Sequence, residues 1–406
     1  MHINSKAEVL SSKMFFFCYL LSIFNMKNPL VMGEWSISPI IYFCFVIIAL
    51  IFFLGLFGRG YTDKNVLIIT IIMLFSLIPS VFLSEYIVVS ILKYIPFFCG
   101  IIMLSLLSSR LTFADEVMKR ELFRKILNTN RIVLGLSVFI LFIGAGYPRN
   151  ETGFAGFFNH PQAFGIYLLY FMLFELVSWR TNVSGNLSSC FFIVLIFAMS
   201  YMTESRLSLG SNMIFLLTYF FMFGKLTLYR KIVFSVLALV TVFLLYDILM
   251  DVTLDVLSKR GRANSYGVEA LLDSRFRFVE GSILNFLDNP FSGIGFQVSN
   301  GKYGHYPMDL TPSAYFNLPL NASIEKGVFW SALPEESGLI GLIGVFFFFV
   351  ATILLRRSIF IVMPVLGLFL LGFGEAFLFS LGGVGFFVWV VFYFFLSFKK
   401  NDFIVN

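Results

Sequence analysis

Charge is scarce in this chain: 13% of its 406 residues are Asp, Glu, Lys or Arg, against 59% that are hydrophobic. A soluble protein carries about 25% charged residues, so a water-soluble globule is excluded and lipid must solvate much of the surface. Cysteine is scarce too. Cys18, Cys44, Cys99 and Cys190 lie far apart inside apolar stretches, which argues against a disulfide framework or a metal site and leaves them as small hydrophobes. The apolar runs lack period-two alternation, which favours helices over a membrane β-barrel. No internal repeat is visible, so the usual signature of an inverted-repeat transporter is missing.

What is present is a series of long, almost uncharged runs, among them Ser36 to Gly58, Val66 to Ser84, Lys231 to Met250 and Ile359 to Leu371. Each approaches or exceeds the roughly 20 apolar residues that cross a bilayer as a helix. The pattern predicts an all-α polytopic integral membrane protein with about 12 transmembrane helices. The spans fall near 14–32, 37–57, 65–83, 86–107, 132–146, 158–178, 188–203, 207–223, 231–250, 337–355, 359–378 and 382–398. Lys27, Asn28 and Pro29 interrupt the first. Met14 to Phe24, behind Lys6 and Lys13, resembles a signal peptide, but no small-residue cleavage site follows. An uncleaved first helix is the expectation.

Basic residues set the orientation. Lys6, Lys13, Arg59, Lys64, Arg180, Lys225, Arg230, Lys231, Arg356, Arg357, Lys399 and Lys400 fall on one side, with Arg110, Lys119, Arg120, Arg124, Lys125 and Arg131. The opposite short loops hold Lys27, Arg149 and Arg206. The rule that cytoplasmic loops are positive then puts both termini in the cytoplasm. It also accounts for the net charge of +6 without a nucleic-acid partner. Residues 1–250 would form the first nine helices, with an amphipathic cytoplasmic segment at 108–130 lying on the membrane surface. Residues 251–336 would form one large periplasmic loop between spans nine and ten, partly helical, and 337–406 the last three helices and a short tail. A loop that long is seldom a mere connector.

Four stations could carry chemistry. In Gly153 to Gly165, Asn159, His160 and Gln162 stand at the mouth of the sixth span, with Pro161 suited to a first helical turn and Asn159 to its cap. Polar groups there either cap a helix or line a cavity. In Thr203-Glu204-Ser205-Arg206 the turn is short enough to hold Arg206 at the interface, either paired with Glu204, snorkelling, or facing an anionic headgroup. Asp273 to Pro290 reads as an amphipathic helix resting on the membrane, with Phe276, Val279, Ile283, Phe286 and Leu287 on one face and Arg275 and Arg277 near its start. Glu325, Glu335 and Glu336 lead into the tenth span, and a desolvated carboxylate there could serve as a general base or be a solvated loop end. His305 is the one histidine of the large loop.

These stations, in this order, resemble the O-antigen polymerase and ligase family of bacterial envelope glycosyltransferases. The likeness rests on Gly156-Phe-Phe-Asn-His-Pro-Gln-Ala-Phe-Gly165, Ser205-Arg206, Arg275, Asn289-Pro-Phe-Ser-Gly-Ile-Gly295 and Glu336-Ser-Gly-Leu-Ile-Gly341. It covers roughly residues 150–345. The resemblance implies a metal-independent, cofactor-free glycosyltransferase of the inner membrane acting on a polyprenyl-diphosphate-linked glycan as donor and acceptor. Arg206 and Arg275, with Arg277 close by, match the arginines thought to hold the diphosphate. Such a polymerase would work beside a chain-length-determining membrane protein. Ligases carry a histidine followed by asparagine shortly before the Glu-x-Gly-Leu motif. Here that stretch reads Glu325-Lys-Gly-Val-Phe-Trp330, which favours a polymerase of repeat units over a ligase. The base is left among Glu336, Glu325 and His305, in that order. A flippase of the same lipid-linked glycan would need charges deep in its helices, for which Lys93, Glu175 and Glu375 are the candidates.

Overall fold

The computed structural model describes residues 2–28, 62–147, 153–223, 279–298, 302–303, 328–356, 358–380 and 383–399. The expected spans at 37–57 and 231–250 lie outside the described residues, as do Arg275, Arg277, His305 and Glu325. What is described is all-helical. In chain order the helices are α1 (His2–Phe24), α2 (Lys64–Ser76), α3 (Ile78–Phe82), α4 (Ile87–Leu111), α5 (Glu116–Phe142), α6 (Pro161–Thr181), α7 (Asn186–Met202) and α8 (Arg206–Phe223). A short helix at 279–288, here α9, precedes α10 (Phe329–Arg356), α11 (Ile359–Leu371) and α12 (Val384–Leu396). Five segments are long and apolar enough to cross a membrane: α2 with α3, α4, α5, α6 and α10. Four shorter apolar helices, within α7, α8, α11 and α12, accompany them. This is a multi-pass membrane architecture.

The chain's abundant phenylalanine builds the middle. α6 and α12 are buried on nearly every side, as helices apolar all round must be. Phe174 of α6 meets Phe394 and Phe395 of α12, and Tyr167 meets Phe387, with ring centroids 5.0–5.7 Å apart. Offset and edgewise aromatic contacts of this kind add to the gain from burial itself. α1 packs on α12, α4 and α5, and α10 packs on α2.

Two helices are broken at one end of the bundle. α2 stops at Ser76 and α3 restarts with Pro79 in its first turn, since proline has no N–H to continue the ladder. α10 contains Gly338 at φ 62, ψ −170, a conformation open essentially to glycine alone. At the opposite end, Arg356 joins four helix ends. It contacts the Asp63 carboxylate at 2.9 Å and donates to Thr112 Oγ1 at 3.0 Å and to the Leu396 carbonyl at 2.7 Å.

Several boundaries differ from those the sequence suggests. α1 begins at His2 and ends at Phe24, where the sequence suggested 14–32. The interruption is a docking point: Lys27 bridges to Phe158, and the Asn28 side-chain amide donates to the carbonyls of Ala145 and Gly156. Residues 108–130 are divided, 108–111 closing α4 and 116–130 opening α5. α5 runs unbroken through this charged stretch because Leu122, Phe123, Ile126 and Leu127 bury one stripe of it. α10 begins at Phe329, ahead of the expected 337, and the break at Gly338 lies beside that boundary.

Candidate active site

The first station folds around close backbone approaches. A Cβ at Gly153 (φ +72) would lie 2.5 Å from the Thr203 carbonyl oxygen, and Phe154 N–H donates to the Met202 carbonyl at 2.9 Å. The loop 153–160 is thereby fastened to the turn that carries Ser205 and Arg206. Gly165, one turn into α6, faces Ser208, whose hydroxyl donates to the Gly165 carbonyl at 3.0 Å. Ser205 Oγ in turn accepts the Ser208 backbone N–H at 3.4 Å. Arg206 is the first residue of α8, at the end of the helix where its aligned peptide dipoles favour an anion.

The cap of α6 differs from expectation. His160, not Asn159, occupies it: His160 is extended (φ −150, ψ 140) and its Nδ1 accepts the Gln162 N–H at 3.2 Å. Asn159 is committed elsewhere, its backbone N–H donating to the Met26 carbonyl at 2.8 Å, and its side chain is exposed. His160 and Gln162 are half-buried. Pro161 takes the first turn, as its fixed φ suits.

The other two stations also meet. Residues 289–298 leave α9 and thread between the two broken helices. Ile294 N–H donates to the Glu335 carbonyl at 2.8 Å and Gly295 N–H to that of Glu336 at 3.3 Å. Leu339 N–H, freed by the break at Gly338, donates to the Pro290 carbonyl at 2.8 Å. On the other side, Ser84 Oγ donates to the Ile294 carbonyl at 2.8 Å and Phe296 N–H to that of Ser80 at 3.2 Å. Irregular backbone within a membrane protein survives where protein surrounds it and satisfies it. Phe296 completes the seal against Tyr94, Phe97 and Phe379.

Glu335 and Glu336, adjacent in sequence, have different surroundings. The Glu335 carboxylate is buried and accepts hydrogen bonds from Ser282 Oγ and Asn285 Nδ2, both at 2.7 Å. Asn285 Oδ1 also accepts the Tyr303 N–H at 3.1 Å. Glu335 thus fastens α9 and the returning chain to α10. The roles of Ser282 and Asn285 were missed in the sequence, although their spacing of three residues opposite Ile283 and Leu287 carries the signal. Glu336 is buried to a lesser degree.

The two halves of the site share one wall. Phe329 N–H at the start of α10 donates to the Gly372 carbonyl at 2.8 Å, and Trp330 Nε1 donates to that of Phe369 at 2.9 Å. Two residues on, Gly374 lies against Leu207, the neighbour of Arg206. Of the charges considered for transport, Glu175 is held by Arg131 through two bonds of 2.7 and 2.8 Å. Lys93 donates to the Gln297 carbonyl at 2.8 Å, and Glu375 is half-buried. No group of three potential metal ligands occurs among the described residues.

Comparison with known proteins adds one match. No curated protein sequence matches the chain. Residues 191–329, from within α7 to the first residue of α10, match the family model for O-antigen ligase. With the motif series at 153–165, 205–206, 289–295 and 336–341, that domain is consistent with an O-antigen polymerase/ligase-like family.

Proposed function

We propose that the chain is a glycosyltransferase that polymerises polyprenyl-diphosphate-linked oligosaccharide repeat units of a surface polysaccharide at the periplasmic face of the inner membrane. The observation that carries this reading is the joining of Asn289–Gly295 to the broken helix at Glu336–Gly341. Two motifs well separated in sequence act as one structural unit, beside the wall that reaches Leu207, next in sequence to Arg206. In the reaction, an acceptor hydroxyl attacks the anomeric carbon of the donor sugar and the bond from that carbon to the diphosphate breaks. Arg206 and Arg275, with Arg277, neutralise the charge on the departing polyprenyl diphosphate, the contribution that usually dominates such catalysis. The hydroxyl proton passes to a carboxylate, with Glu336 the first choice and Glu325 and His305 after it. Asn159, His160 and Gln162 frame the cavity mouth. The mechanism uses no metal or cofactor, and both termini lie in the cytoplasm.

A ligase that transfers the finished glycan is the second reading, favoured by the name of the matched family. Glycan length separates them. A null strain complemented with wild type or Arg275→Ala, its surface polysaccharide resolved on a gel, should show collapse to single attached repeats in the null and the variant. Long unattached lipid-linked chains would identify a ligase. An unchanged ladder would remove both readings, and loss of all surface glycan, single repeats included, would restore the transporter reading.

A further inference from the structure

α9 turns its polar side inward and its apolar side out. Ser282 and Asn285 bind Glu335, while Ile283, Leu284 and Leu287 are 50%, 39% and 63% exposed, and Phe291 just beyond is 68% exposed. On a water-facing surface that polarity would be reversed. The patch also has a neighbour that says what covers it. The Pro290 and Phe291 carbonyls accept the N–H groups of Leu339 and Ile340, at 2.8 and 3.4 Å. Those two residues begin the exposed stripe of α10, which continues through Ile343, Phe346, Phe347, Val350 and Leu354 down a helix long enough to cross the membrane. The face of α9 therefore continues the exposed apolar stripe of α10.

We infer that α9 is seated in one leaflet of the bilayer, with Ile283, Leu284, Leu287 and Phe291 among the phospholipid acyl chains at the headgroup boundary. The seat is tilted. Glu280, at the amino end of the same face, is exposed and charged, whereas Phe291 adjoins the α10 stripe. Depth increases along the helix from Glu280 to Phe291. On the flank, Asp288 is paired with Lys302 at 3.5 Å and accepts the Tyr303 hydroxyl at 3.4 Å, which keeps the charged edge at the water boundary. Amphipathic helices hold this position by burying an apolar face to about 5–10 Å. Glu335 supplies what a free amphipathic helix lacks, a fixed rotation about its own axis.

Nitroxide labels on the full chain test the seat independently of any sugar chemistry. Labels are placed singly at Glu280→Cys, Leu284→Cys, Leu287→Cys and Phe291→Cys, with the four native cysteines changed to alanine. The protein is set in nanodiscs of phosphatidylethanolamine and phosphatidylglycerol, with Ile343→Cys as the α10 reference. Collision with oxygen should rise, and collision with a water-soluble nickel chelate should be lost, stepwise from 280 to 291, with 343 the most oxygen-accessible. Nickel access along the whole of α9 would overturn the inference, because the face would then be in water. Shielding from both reagents, at α9 or at 343, would also overturn it, because protein would then cover the surface. Absence of polymer synthesis by the unlabelled wild-type protein in the same nanodiscs, with the gradient intact in the labelled variants, would count against the proposed function and leave the seat standing.

Discussion

Asn285 donates its side-chain amide to the Glu335 carboxylate at 2.7 Å while its carbonyl oxygen accepts the Tyr303 N–H, so one side chain ties three stretches of chain together. The pair has a defined polarity, and that polarity can be inverted. Glu335→Gln alone replaces one acceptor oxygen by an amide donor that must face either the Asn285 amide or the Ser282 hydroxyl, and leaving a buried donor unmatched costs about 1–3 kcal/mol. Asn285→Asp alone brings two carboxylates together. In the double variant the new amide at position 335 donates to the new carboxylate at position 285, which can still accept from Tyr303. Thermal unfolding of the purified proteins should show both singles destabilised and the double recovering most of the loss. A double no better than the worse single would mean the contact does not hold α9.

The break in α10 depends on a residue without a side chain. At Gly338 a Cβ would meet the Phe291 carbonyl group and come within 2.6 Å of Gly293 N, in a backbone region that other residues avoid. Gly338→Ala should therefore cost more than the roughly 1–3 kcal/mol of backbone strain alone, because the threaded segment must also move. Gly135→Ala is the control: it sits within α5 with nothing in reach of its Cβ. That variant should match or slightly exceed wild-type stability, by about 0.4–1 kcal/mol. Melting temperatures of the two variants decide the matter, and equal losses would refute the close approach.

Hydropathy made α4, α6, α7 and α8 legible to within a few residues, because apolar runs that meet lipid or a core on all sides have only one way to satisfy their backbone. It read less well where a helix continues past the apolar run. α5 extends back to Glu116 because Leu122, Phe123 and Ile126 form a buried stripe amid the charges, and a window average blurs a stripe. The motif series located the stations but not how they are joined. Nothing local to Glu335 says that its partners are Ser282 and Asn285, 53 and 50 residues earlier, since such pairings belong to the tertiary fold. His160 shows the same limit on a smaller scale. Asn159 is the better cap by type, but α6 starts at Pro161, which puts His160 in the cap position and Asn159 one residue outside it.

Arg131 and Glu175 bear on the transporter alternative. They form a two-bond pair, Glu175 fully buried, with Arg131 also donating to Ser184 Oγ at 2.8 Å and stacking 4.5 Å over the Phe192 ring. Removing one partner should be severe: Glu175→Ala leaves a guanidinium uncompensated, at a cost of about 3–5 kcal/mol. The double change to Met at both positions should restore much of the stability, since well-packed apolar side chains replace buried pairs with little penalty. If the pair is structural, the double variant also keeps the polysaccharide ladder. A stable double variant that lost single repeats as well as the ladder would mean that the charges take part in transport.

Arg206 at the first position of α8 is expected to act through its planar fork as well as its charge. Arg206→Ala should lower the polymerisation rate by about 10²–10³-fold if it stabilises the departing diphosphate. Arg206→Lys keeps the charge and loses the fork, so it should recover only part of that rate. The comparison is made in membranes matched for protein content. Full activity in both variants would remove Arg206 from the site.

Glu336 and Glu335 offer a contrast that separates chemistry from scaffolding. Glu335 has its carboxylate bound by Ser282 and Asn285, so its loss should appear first in stability and should be repaired by the inverted pair described above. Glu336 holds Gly295 through its backbone carbonyl, which any residue supplies. Glu336→Gln keeps the side chain's size and one acceptor oxygen, so it should cost less stability than Glu336→Ala while removing a base worth about 10²–10⁴-fold in rate. The measurement is the turnover of lipid-linked repeat units by each purified variant, set beside its unfolding curve. A Glu336→Gln protein that polymerises normally would pass the proton-accepting role to Glu325 or His305. One that unfolds would assign Glu336, like Glu335, to the framework.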